Sequence, residues 1–250
     1  VRRRSHLTPG SQRCELNIEA LDAYSGDASG NESMPDSKEK LNRDGVKAYE
    51  DARKEEDPKK AIRLFRGALN LFDYALEQDA SFLKAKLNNG LTHLELARKD
   101  VDREQNCKLA IESLTSVVES DPNDAEARSS LATAYGELAA ELENPSRAAS
   151  GKAPLATALK DAREAALRAT DFDPNLAEAS SNLAAALNGL ATIADSAQEA
   201  RELRSEAAAA GREALKRRPD YVAALCNLGV IYIENGETDE GIGRLKEAYD

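Results

Sequence analysis

Hydrophobic and polar positions change their rhythm at about residue 37. From Ser37 onward, apolar and small residues recur at intervals of three and four, the spacing that gathers them on one face of an α-helix. Breaks divide this stretch into about ten predicted helices, and the breaks are of two kinds. In one kind, at Asp121-Pro122-Asn123, Asp173-Pro174-Asn175 and Arg218-Pro219-Asp220, proline ends a helix and a polar residue beside it is placed to cap the next. The other kind is softer: Glu56-Asp57-Pro58, Asn144 to Pro154, and Asn235-Gly236-Glu237. The two kinds alternate, so the predicted repeating unit is a helix pair, with five pairs in all. The unequal spacing of Pro122, Pro174 and Pro219 is assigned to an insertion around Asn144–Pro154 and to lengthened helices near Ala194–Arg212, because surface insertions between stacked helices cost little loop-closure entropy.

Residues 1–36 follow no such rhythm. Pro9-Gly10, Ser25-Gly26, Ser29-Gly30-Asn31 and Met34-Pro35-Asp36 are turn or breaker signals, and Glu15 to Tyr24 is too short for an independently stable helix. This segment is expected to be mostly disordered. Met34, the single methionine, lies just before the periodic region, so a natural start there is one expectation and an ordinary tail the other.

The last unit carries the clearest signature. Ala223-Ala224-Leu225-Cys226-Asn227-Leu228-Gly229-Val230-Ile231-Tyr232 is followed by Asn235-Gly236-Glu237-Thr238-Asp239-Glu240-Gly241-Ile242. Weaker copies are Asn182-Leu183-Ala184 to Leu187, Ser130-Leu131-Ala132 to Tyr135, Asn88-Asn89-Gly90, and Pro58-Lys59-Lys60-Ala61-Ile62. These runs resemble the tetratricopeptide repeat (TPR), whose first helix carries Asn-Leu-Gly then Tyr and whose second opens with Asp-Glu-Ala-Ile. Gly241 stands where that family usually has alanine, at about 1 kcal/mol of helix propensity but with the required smallness kept. The resemblance covers residues 37–250 and implies an all-α, right-handed α-solenoid of helix-turn-helix repeats with some lengthened helices and insertions. The last pair stops without a closing turn or a polar capping helix, so the chain is expected to continue beyond Asp250 or to pack, by self-association, through that end.

Composition narrows the function. Aromatic residues make up 4% of the chain and tryptophan is absent, so a core of small side chains and closely approaching helices is expected. A net charge of −11 opposes a generic nucleic-acid surface or anionic membrane as partner. Arg2, Arg3 and Arg4 are read as a solvated cluster. Cys14, Cys107 and Cys226 are isolated, which fits a reducing compartment, and no apolar run is long enough to span a membrane. A cytoplasmic protein is the expectation.

Candidate chemistry is sparse. His6 and His93 are the only histidines, and no HExxH, CxxC, GxSxG or phosphate-cradling glycine loop occurs. Gly151-Lys152 is part of a turn. His93, Cys107 and Cys226 are read as packing residues, and the many carboxylates alternate with Lys and Arg on solvated helix faces. No cofactor, metal site or enzymatic activity is expected.

The resemblance also implies a concave groove lined by first helices. Aligned units put Asn88, Ser130, Asn182 and Asn227 in equivalent places, with Lys84 and Thr133 on the same side. Packed helices lie about 10 Å apart and an extended chain rises ~3.3 Å per residue, so one polar side chain per unit would meet every third residue of a bound peptide. An asparagine amide offers both a donor and an acceptor to a peptide group. The competing reading is that these amides bond only to neighbouring helices. Chaperone-binding members of the family clamp a carboxyl terminus with Lys and Asn in the first unit. Here those places hold Asn42 and Val46, with Glu126 and Ser130 in the third unit, so that clamp is absent. The expected function is a protein-protein interaction scaffold that holds a peptide or helix of a partner. The alternatives are a regulatory repeat module of a longer enzyme or secretion-machinery protein, and a self-assembly module.

Overall fold

The computed structural model describes residues 36–144 and 151–249. The segment expected to be disordered, with Glu15 to Tyr24, Met34 and the arginine cluster, lies outside the described residues apart from Asp36. Among the described residues there are ten helices and no strand. In chain order they are α1 (Lys38–Lys54), α2 (Pro58–Gln78), α3 (Leu83–Arg98), α4 (Arg103–Ser120), α5 (Ala125–Leu142), α6 (Lys152–Phe172), α7 (Ala177–Thr192), α8 (Ala197–Arg217), α9 (Val222–Glu234) and α10 (Thr238–Glu247).

The breaks fall where the proline and glycine signals put them. Asp57 caps α2 through the Lys59 and Lys60 amides, with Pro58 opening the helix, where its missing N–H costs nothing. Asp124 caps α5 through the Ala127 amide at 2.8 Å. The breaks at Pro174 and Pro219 depart from the expected pattern. The residues flanking α7 and α9 are Leu176 and Tyr221, which make no side-chain cap. Asp173 instead folds its own turn by accepting from the Asn175 amide at 2.9 Å. The second soft break is shorter than expected: α6 begins at Lys152, and Pro154 sits inside its first turn. Between α9 and α10 the chain reverses through Gly236 at φ +87°, and the Glu237 amide returns to the Tyr232 carbonyl at 2.8 Å.

Each helix packs on the next in sequence, most extensively within the pairs α1/α2, α3/α4, α5/α6, α7/α8 and α9/α10. Each first helix also touches the next first helix, along the series α1, α3, α5, α7, α9, whereas no comparable contact joins successive second helices. The row of first helices is therefore the tighter layer, and the stack must curve towards it. That curvature makes a concave face out of α3, α5, α7 and α9.

Alanine is the commonest core residue, and Phe65, Phe72, Leu114, Leu228 and Ile231 are the largest fully buried side chains. Closeness is enforced by glycines at helix crossings. A Cβ added at Gly229 would lie 2.8 Å from Leu245 Cγ, and one at Gly241 would lie 2.6 Å from both the Gly229 carbonyl oxygen and Ile233 Cγ1. Gly241 is thus more than a small residue in an alanine place, because alanine itself would not fit there.

Candidate protein-binding groove

The concave face holds a groove of about 890 Å³. Its floor is built from small side chains of three first helices: Ser129, Ser130, Ala132, Thr133 and Gly136 on α5, Ala185, Ala186 and Gly189 on α7, and Ala223 and Val230 on α9. The same short residues that let the helices press together leave the space open above them.

The predicted site residues divide into two sets. Ser130, Thr133, Asn182 and Asn227 all line the groove. Asn88 and Lys84 do not: Asn88 Nδ2 donates to Asn42 Oδ1 at 3.0 Å across α3 and α1, and Lys84 is exposed at the start of α3. Alignment of the units gave equivalent positions along each helix, but the groove occupies the α5–α7–α9 part of the stack.

The hydrogen bonds of Asn182 and Asn227 have a definite direction. Asn182 Nδ2 donates to the Ser129 carbonyl oxygen at 3.0 Å, to Ser129 Oγ at 3.2 Å and to Thr133 Oγ1 at 2.9 Å. Asn227 Nδ2 donates to the Ser181 carbonyl oxygen and Oγ, both at 3.2 Å. A carbonyl oxygen only accepts, so the NH₂ end of each amide must face the preceding helix. Each amide ties one unit to the next and keeps its Oδ1 free of partners among the described residues. Asn188, also in the groove wall, has a buried Oδ1 without a partner.

Charge on the groove is lopsided, and sequence reasoning missed it although Glu126 and Glu178, and likewise Glu137 and Glu234, stand at matching places in the aligned units. Its lining includes five glutamates, Glu126, Glu137, Glu143, Glu178 and Glu234, against one arginine, Arg98. Three of the five are paired. Glu137 holds Arg98 Nε at 3.2 Å and Arg103 Nη2 at 2.7 Å, Glu178 holds Arg218 Nη2 at 2.7 Å, and Glu234 holds Arg204 Nε at 3.2 Å. Arg218 also stacks 3.7 Å over the Tyr221 ring, and burial, with Glu178 nearby, raises the Tyr221 phenol above its ordinary pKa. Glu126 and Glu143 are exposed and make no ion pair among the described residues.

A second polar cluster lies inside the stack and not in the groove. His93 Nδ1 is 2.7 Å from Asn106 Oδ1, and Asn106 Nδ2 donates to the Val101 carbonyl at 2.7 Å. Since Asn106 spends its NH₂ on that carbonyl, its oxygen must accept, and the neutral imidazole carries its proton on Nδ1. The cluster braces a turn in which Asp100 and Asp102 have φ of 58° and 37°. Nearby, Asn89 Nδ2 donates to Asp73 Oδ1 at 2.9 Å and Ser113 Oγ donates to Asn89 Oδ1 at 3.0 Å. Desolvation lowers the His93 pKa and raises that of Asp73. Cys107 is buried and its thiol is pushed up to about 11 by desolvation, with Glu137 adding to the rise. Among the described residues no group of His, Cys, Asp and Glu is arranged to hold a metal ion, and no helix is long and apolar enough to cross a membrane.

No protein-family model matches the chain, and no curated protein sequence matches it. Solved structures do. The chain is similar to TTC0263, a thermophilic TPR protein of Thermus thermophilus, with TM-score 0.58 and 20% identity over 85% of this chain and 90% of that one. It is also similar to MamA structures: one with TM-score 0.50 and 21% identity over 76% of this chain and 90% of that chain, and one from MSR-1 with TM-score 0.54 and 14% identity over 85% and 94%. Paired helices in sequence order, a tighter row of first helices and these superpositions make the fold that of a tetratricopeptide-type helical repeat.

Proposed function

We propose that this protein is an interaction scaffold that holds a segment of a partner protein in the α5–α7–α9 groove. The observation that carries the reading is the groove itself: three successive first helices leave about 890 Å³ open over a floor of Ser, Ala, Gly and Thr side chains. Helical repeats of this fold generally mediate contacts between proteins. Ser130, Thr133, Asn182 and Asn227 are the contacts proposed for the partner; Asn88 and Lys84 would serve only a ligand that extends past α5. The test is a displayed peptide library panned on the wild type and on Ala185→Trp, which places an indole over the exposed floor of α7. Peptides enriched by the wild type and lost by the variant support the groove. Equal enrichment on both would put binding elsewhere.

A second reading is self-association through α9 and α10. Ile233, Ile242 and Tyr249 are 39%, 42% and 95% exposed there, an apolar set at the end of the stack. Sedimentation over a range of concentrations should show a rising mass that Ile242→Lys abolishes; a constant monomer mass refutes it.

A further inference from the structure

The groove offers more open hydrogen-bond acceptors and carboxylates than open donors, of which the Ser130 hydroxyl and the Asn188 amide are the examples among the described residues. The NH₂ groups of Asn182 and Asn227 are fixed against the Ser129 and Ser181 carbonyls, which turns both Oδ1 atoms away from the packed helices. Asn188 adds a buried Oδ1 with no partner. Arg98 is held by Glu95 and Glu137, and Thr133 donates to the Ser129 carbonyl at 3.1 Å. Glu126 and Glu143 make no ion pair among the described residues and stand at opposite ends of α5, about 25 Å apart at 1.5 Å per residue. An uncharged extended peptide brings one carbonyl for every N–H, and those carbonyls would find few donors here beyond Ser130 and Asn188. Lysine and arginine side chains carry donors only, and arginine carries five.

We infer that the groove selects a cationic segment, an extended stretch of a partner protein with arginine or lysine at about every third residue. This rests on the groove being the binding face. The spacing follows from first helices about 10 Å apart and a polyproline II chain, whose three residues per turn at ~3.1 Å rise put every third side chain on one face. Cationic side chains would reach the Asn182 and Asn227 oxygens in turn, and one at the α5 crossing would meet Glu126, a turn before Ser130, while Glu143, about 20 Å beyond Ser130 along α5, adds only to the negative field of the groove. The amide row is then half structural and half recognition: its donors hold the stack and its acceptors read the ligand.

The probe is a fluorescent peptide of about twelve residues, long enough to cross three helices, with Arg at every third position and Gly or Ser between. Its comparison peptide has Gln for every Arg. By anisotropy, the wild type should bind the arginine peptide at least about tenfold more tightly than the glutamine peptide, and Glu126→Gln with Glu143→Gln should weaken it by about tenfold. A control with Glu119→Gln and Glu206→Gln, exposed carboxylates on α4 and α8, should stay within about twofold of wild type. An equal loss in both double variants means diffuse attraction to an acidic protein and overturns the inference. Equal binding of both peptides, abolished for both by Ala185→Trp, leaves the groove reading standing and removes the cationic selectivity. Arginine-peptide binding untouched by Ala185→Trp removes both. Absence of arginine-peptide binding up to about 1 mM also overturns the inference.

Discussion

Two glycines in the first helix pair test whether close packing or helix propensity governs this stack. Gly67 lies within α2, and a Cβ added there would meet nothing within 4 Å. Alanine at that place should add about 1 kcal/mol of stability, the ordinary propensity gain. Gly45 lies in α1 against the fully buried Phe72, and its added Cβ would sit 2.5 Å from Cε1 and 2.9 Å from both Cδ1 and Cζ. Carbon atoms rest about 3.5–4.0 Å apart, so the ring would have to retreat by roughly 1 Å inside a filled core. Overpacking of this kind costs roughly 1–3 kcal/mol, and the short ring contacts put Gly45→Ala towards the upper end. After the propensity gain is subtracted, the net loss is about 1–2 kcal/mol. The two variants should therefore differ by about 2–3 kcal/mol although the chemistry of the change is identical. Urea titration followed by far-UV circular dichroism measures the difference, and hydrogen exchange of α1 and α2 amides localises it to this pair, since each repeat couples only to its neighbours. If Gly45→Ala were as stable as Gly67→Ala, the close approach of α1 to the Phe72 ring would be refuted.

Other consequences follow from the buried polar groups. Asp73 has a raised pKa, so its burial favours the fold below the unfolded value near 3.8 and costs stability as pH rises through the folded value. Asp73→Asn, which keeps an acceptor for Asn89, should raise the thermal midpoint at pH 7, with the gain vanishing towards about pH 3; no gain at pH 7 refutes the sign. His93 has a lowered pKa, so its neutral form stabilises the fold fully above about 6.5, and that stability is lost as pH falls towards the folded value. In His93→Gln the slope of stability between about pH 7.5 and 5.5 should flatten, and an unchanged slope would remove His93 as its source. At pH 8 a thiol with a pKa near 11 has about a hundredth of the thiolate of one near 9, so iodoacetamide should label Cys107 at least about a hundredfold more slowly than a free thiol, as read by mass spectrometry. Asn182→Asp should destabilise more than Asn182→Ala, because a carboxylate would face the Ser129 carbonyl with no proton to share; the reverse order in a urea titration would contradict the amide orientation.

Much of the fold is legible because helix punctuation is local chemistry. Asp57-Pro58, Pro122, Pro174, Pro219 and Asn235-Gly236 act within one turn of where they stand, and the helices begin and end around them. Pro154 misleads for the same local reason: proline is excluded from helix interiors but welcome in a first turn, and the sequence does not say which applies. The concave face is another matter. Ser130, Thr133, Asn182 and Asn227 lie on the groove since first helices form the inner row, while Asn88, at an equivalent place, is engaged by Asn42 in the neighbouring unit. The groove glutamates do recur at fixed offsets, Glu126 and Glu178 four residues before the aligned Ser130 and Asn182, Glu137 and Glu234 seven residues after Ser130 and Asn227, but they stand outside the amide row that the alignment of units followed. What brings them to one surface is the curvature of the stack, which depends on contacts between units that lie far apart in the sequence.

The direction of the amide row links that curvature to recognition. A helix surface has no spare donors, because its backbone N–H groups are consumed by its own turns, whereas its carbonyls can accept a second bond. A side chain that ties one helix to the next through backbone must therefore donate, as Asn182 does to Ser129 and Asn227 does to Ser181. An asparagine used as a tie between repeats then has only its oxygen left to offer. The polarity of the groove is in this way set by how the units stack, before any ligand is considered. A partner rich in acceptors would find few donors beyond Ser130 and Asn188, because the tying amides have already used theirs. One that brings donors of its own, as arginine and lysine do, meets the carbonyls and carboxylates that stacking leaves open.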